Sequence, residues 1–138
     1  MSVSKKKRLE EARASLDVAK KQLSQAQVAW WDPPEPAVCV TNAFYAYENA
    51  VTAALVAVGT KRTKRHVEKA ALAKQLFEEN KLKTDVSQRL EHLNEARKDV
   101  QYGEAGPELS GIDLEDLVSE LEGFINEVET LIGEIEEG

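Results

Sequence analysis

Along the first thirty residues, Leu9, Ala12, Leu16, Ala19, Leu23, Ala26 and Trp30 recur at alternating steps of three and four. That spacing puts seven apolar side chains on one stripe of a helix, and the Lys, Arg, Glu and Gln between them suit its exposed face. The pattern predicts a helix over residues 4–29, stopped by Asp32-Pro33-Pro34, because a residue before proline avoids the α region. A second helix is predicted from Glu35-Pro36 to Val58, with Gly59 as its C-terminal cap. It is apolar on all sides, which marks a central helix or one at an interface. A third helix is predicted over residues 64–80, with Val67, Ala70, Ala71, Leu76 and Phe77 inward. A fourth starts at Thr84-Asp85, where Asp85 and Gln88 form a capping-box pattern, and ends near Tyr102-Gly103. Ser110 or Asp113 caps a fifth, striped by Leu114, Leu117, Leu121, Phe124, Val128, Leu131 and Ile135. No segment alternates with the period of a strand. Short connections between neighbouring helices imply an all-α, up-and-down antiparallel bundle of about five helices.

The fourth stripe reads Val86, Leu90, Leu93, Arg97, Val100, so a guanidinium stands where the pattern wants an apolar side chain. A charge on a packed face costs several kcal/mol, roughly, unless it is paired and hydrogen-bonded. Glu48 is the acid of the second helix that lies beyond its first turn, and it is the expected partner. Three readings stay open at this point: a snorkelling Arg97 with a wet head, a structural Arg97–Glu48 pair, or a functional site.

Composition narrows the class. With 138 residues, 42% hydrophobic and 31% charged, the chain suits one globular domain, taken as residues 1–138, whose stretch 110–138 is an acidic C-terminal helix. One cysteine, Cys39, allows no intrachain disulfide, and two histidines, His66 and His92, offer little for a metal cluster. No metal and no cofactor are expected. The basic start lacks a following apolar stretch, and the longest apolar run, residues 53–58, is far too short for a membrane span. A cytoplasmic protein without membrane contact is expected. The net charge of −7 conceals an asymmetry: residues 1–98 carry 18 basic and 12 acidic side chains, and residues 99–138 carry 13 acidic and no basic ones. The two parts should attract each other, and the first retains enough positive charge to meet a polyanion.

Taken in order, these segments resemble the HEPN family (higher eukaryotes and prokaryotes nucleotide-binding). Residues 37–59, AVCVTNAFYAYENAVTAALVAVG, resemble its aromatic, Ala-rich second helix, with Ala43-Phe44-Tyr45-Ala46-Tyr47 in the aromatic place. Lys64-Arg65-His66 followed by Phe77 resembles its basic, His-containing third helix. Residues 90–103, LEHLNEARKDVQYG, resemble its fourth. The likeness covers about residues 8–103. It implies an all-α bundle, frequent homodimers, an association with RNA or nucleotides, and members that are toxins or partners of a small nucleotidyltransferase. Active members resemble one another in an arginine followed, after four to six residues, by a histidine, and two subunits form the cleft that cuts RNA without metal. Arg97 matches the arginine. The histidine should fall at residues 102–104, where this chain has Tyr102, Gly103 and Glu104. A phenol, with a pKa of about 10, is a poor base near neutrality. The resemblance therefore implies a binding or partner module that does not cleave, with Arg97 and Tyr102 as the catalytic candidates if it does.

The remaining candidates are local. Lys61, Arg62, Lys64, Arg65 and His66 cluster at a helix start, where phosphates are attracted; the alternatives are a solvated turn or a dock for the acidic fifth helix. With Glu48 they make up the binding candidates. Trp30 and Trp31 close the end of the bundle or fill a subunit contact. Cys39 reads as a small core residue. The chain has no Gly-rich phosphate loop, paired-cysteine spacing, HExxH or Ser-centred elbow. A plain protein-interaction bundle, using the acidic helix on a basic partner, is the remaining alternative.

Overall fold

The computed structural model describes residues 4–31, 34–60, 62–101 and 112–138. Among them run five α-helices and no strand: α1 (Lys5–Trp30), α2 (Pro36–Ala57), α3 (His66–Glu78), α4 (Ser87–Gln101) and α5 (Leu114–Glu137). The bundle is all-α, as the periodicity predicts, and one continuous apolar core joins all five helices.

α1 opens on Ser4, whose hydroxyl accepts the Lys7 N–H at 3.2 Å. Its stripe from Leu9 to Ala26 is buried as predicted, but Trp30 is only half-buried and Ala29 takes the last covered place. α2 begins with Pro36 in its first turn and turns out of the helix at Gly59, whose φ of 83° favours glycine. It packs against all four other helices. Most of its apolar surface is thus covered within the chain, with Val38 in its first turn left exposed.

α3 corrects the sequence reading. Its buried face is Lys69, Ala70, Ala73 and Leu76, while Val67 is 78% exposed, Ala71 is exposed and Phe77 is 39% exposed. Among the described helices it touches only α2 and α4, so a narrow stripe suffices. It also starts two residues later than predicted. Before α4, Asp85 accepts the Ser87 N–H at 2.9 Å and the Ser87 hydroxyl at 2.7 Å, so Ser87 and not Gln88 is its partner. The predicted end at Tyr102-Gly103 and the loop after it lie outside the described residues.

Asp113 caps α5 by accepting the Asp116 N–H at 3.1 Å. Leu117, Leu121, Phe124 and Val128 are buried along it. Three polar contacts then tie α5 antiparallel to α1: Gln27 to Glu122 at 3.2 Å, Lys20 to Glu129 at 2.9 Å and Arg13 to Glu136 at 3.1 Å. The attraction between the basic and acidic parts is thereby realised. Among the described residues its sites are α1 and Arg89, which pairs with Glu120, rather than Arg62, Lys64, Arg65 and His66. Exposed pairs contribute about 0–1 kcal/mol each, against roughly 1.5–3 for each buried Leu or Phe. The apolar seam therefore holds α5 down, and the charges choose its direction.

Candidate functional site

α2 carries Phe44 and Glu48 four residues apart, and so on one face. Phe44 is buried, and Glu48 leaves only 6% of its side chain exposed. The carboxylate meets His66, the first residue of α3, with Oε2 at 2.5 Å from Nδ1. An ionised carboxylate only accepts, so Nδ1 carries the shared proton and Nε2 is the ring atom left for another contact. The imidazole is 39% exposed and meets the Phe44 ring edge-on at 5.3 Å between centroids.

Arg97 reaches the same ring from α4. Its guanidinium carbon lies 5.1 Å from the Phe44 centroid and 5.7 Å from that of Tyr45. Nη2 donates to Asn94 Oδ1 at 2.8 Å, and Nη1 lies 3.4 Å from the Tyr45 hydroxyl. The half-buried head is thus stacked on two aromatic faces and oriented by an amide one turn back on its own helix. Arg97 and His66 share one aromatic wall, so their heads are no farther apart than the sum of their two distances to it.

This geometry corrects the predicted Arg97–Glu48 pair. The two out-of-place charges do face one region, but among the described residues the partner of Glu48 is His66. Choosing a partner from the stray charges of α2 and α4 overlooked that α3 begins beside Glu48. Phe44, Tyr45 and Asn94 were missed as site residues. The i,i+4 spacing of Phe44 and Glu48 and the i,i+3 spacing of Asn94 and Arg97 were the signals available.

Of the basic cluster, Arg62, Lys64 and Arg65 are exposed in the connection just before His66, and Arg65 lies 4.0 Å from Glu68. Lys61 and Tyr102 lie outside the described residues, as do Gly103 and Glu104. His92 is exposed on α4. Cys39 is fully buried, and burial pushes its thiol up to about 11, which keeps it protonated and unreactive. Among the described residues no three of His, Cys, Asp and Glu converge as a metal-ligand set. No described helix is long and apolar enough to cross a membrane.

The family model described as the HEPN domain matches residues 6–131 of the 138. No curated protein and no solved structure matches the chain. The match spans the stripe of α1, the aromatic α2, the His66 start of α3, the Arg97 helix and most of α5, and by it this chain belongs to the HEPN domain family.

Proposed function

We propose that this chain is a helical binding module that takes a phosphate-bearing ligand, RNA or a nucleotide, on the surface edged by Arg97, Tyr45 and His66, and does not cut it. The observation carrying this reading is the shared aromatic wall: Arg97 lies over Phe44 and Tyr45 while His66 meets Phe44 edge-on. A stacked, oriented guanidinium is already ordered, and its fork fits two oxygens of one phosphate. The half-buried ring of Tyr45 next to it suits a base. Arg62, Lys64 and Arg65, with Lys61, add a field that draws phosphates toward His66. Glu48 holds His66 in place.

The absence of a histidine at residues 102–104 supports binding without cleavage. One observation favours a second reading, a metal-independent ribonuclease: Glu48 fixes Nδ1 of His66 and leaves Nε2 for a proton. In that reading Nε2 takes the proton of a ribose 2′-hydroxyl, the oxygen attacks phosphorus to close a 2′,3′-cyclic phosphate, and the bond from phosphorus to the 5′-oxygen breaks, that oxygen taking a proton from solvent water. Arg97 stabilises the charge on the phosphate, and Tyr102 stands where the family's histidine would.

The reading carries a cytoplasmic setting and a homodimer, with a small nucleotidyltransferase as a further partner. Val28, Trp31 and Val38 are exposed apolar residues at the junction of α1 and α2 and are the surface we assign to the second copy.

The test is fluorescence anisotropy with a labelled single-stranded RNA at two salt concentrations, with a gel for cleavage. The expected results are binding that weakens with salt, a loss of roughly tenfold in Arg97→Ala on the scale of one charged hydrogen bond, and intact RNA. Affinity equal in wild type and Arg97→Ala contradicts the proposal. RNA cut by the wild type and spared by His66→Ala establishes the second reading in its place.

A further inference from the structure

About two turns of α4 before Arg97, a cavity of about 710 Å³ opens between the start of α4 and the first half of α5. Ligand sites usually have volumes of roughly 300–1,000 Å³. Phe44, Glu48, His66 and Arg97 are not among its lining residues. Tyr47 and Phe124 line it, with ring centroids 5.7 Å apart, and both are almost fully buried. Burial pushes the Tyr47 hydroxyl up to about 12, so it keeps its proton, although the Arg89 charge opposes that shift. Arg89 also pairs with Glu120 of α5. Asp85 and His92 complete the charged lining.

The charge count decides what fits. Two carboxylates, one guanidinium and one imidazole surround an aromatic surface, so neither a simple anion nor a simple cation is matched. A zwitterion is. Its carboxylate can replace Glu120 on Arg89, and its ammonium can take Glu120 and Asp85. Every charge then keeps an opposite partner, and because Glu120 is exposed the pair opens at low cost. An apolar side chain on the same molecule covers Tyr47 and Phe124.

Gly123 of α5 also lines the cavity. A mid-helix glycine is unfavourable relative to alanine, and a Cβ here would meet nothing within 4 Å. Packing therefore does not require it, and its effect is to leave that wall open. Gly133, equally open, does not line this cavity and serves no such purpose. We propose that this cavity binds a free α-amino acid with a large apolar side chain, recognised by Arg89 through its carboxylate and by Glu120 through its ammonium group.

Isothermal titration calorimetry of the full chain tests this, using L-phenylalanine, 3-phenylpropionate, which lacks the ammonium, and 2-phenylethylamine, which lacks the carboxylate. L-Phenylalanine is expected to bind, and each truncated analogue to bind roughly tenfold or more weakly, the scale of one lost charged contact. Gly123→Leu fills the cavity and is expected to lose binding with its melting temperature unchanged or raised. Arg89→Gln, which leaves the cavity open, is expected to lose at least roughly tenfold. No heat with L-phenylalanine up to about 10 mM overturns the proposal. So does a truncated analogue that binds as well as the amino acid, or full affinity in either variant.

Discussion

A carboxylate with 6% of its side chain exposed needs a donor, and Glu48 has one in His66. Removing the imidazole strands that charge. An unsatisfied buried polar group costs about 1–3 kcal/mol, more when charged, whereas removing both partners costs less. His66→Ala is therefore expected to lower unfolding free energy by about 2 kcal/mol, and Glu48→Gln in the same chain to restore part of it. Urea denaturation of the three variants measures this, and a His66→Ala loss below about 0.5 kcal/mol would mean that Glu48 reaches water without it. Half of this site could be read from the sequence. Arg97 was conspicuous because four apolar neighbours on its stripe defined the place it occupies. Its surroundings were not, because Phe44 and Tyr45 look like ordinary core residues until α4 is laid across them. His66, in a run of basic residues, looked like part of a solvated turn.

Among the elements, α1 and α5 were the most legible, because long runs of Leu set against charged residues leave one solution for the buried face. α3 was misread for the opposite reason. Its face is built from Ala70, Ala73 and Leu76, and small residues give little contrast, so the bulkier Val67 and Phe77 drew the stripe toward solvent. The entry to α4 shows a finer limit. The helix starts at Ser87, two residues after Asp85; an Asx turn onto Ser87 and a capping box with Gln88 share the same local spelling. The two bonds from Ser87 hold the Asp85 carboxyl below its ordinary pKa. A depressed folded-state pKa means stability that is present above the ordinary carboxylate range and lost as pH falls through the folded value. Asp85→Ala is expected to be destabilised by about 1 kcal/mol near pH 6, with the difference from wild type narrowing as pH falls below the ordinary carboxylate range. Thermal denaturation across that range measures it. A difference that stays constant down to the lowest pH would contradict the assignment.

For the whole molecule, the charge asymmetry and the apolar pattern pull in one direction. The acidic α5 lies antiparallel on the basic α1 and places five carboxylates, those of Glu120, Glu122, Glu127, Glu129 and Glu136, on partners within the chain. The positive charge of Arg62, Lys64 and Arg65 is not used in docking α5 and stays in the connection just before His66. The central claim is that the surface edged by Arg97, Tyr45 and His66 is where a phosphate-bearing ligand sits. The most direct measurement is the backbone amide chemical-shift map of the chain during titration with a short single-stranded RNA. The account predicts perturbations concentrated at residues 44–48, 62–66 and 94–97, and their disappearance in Arg97→Ala. Perturbations confined to α5, or a map unchanged by that substitution, would contradict it.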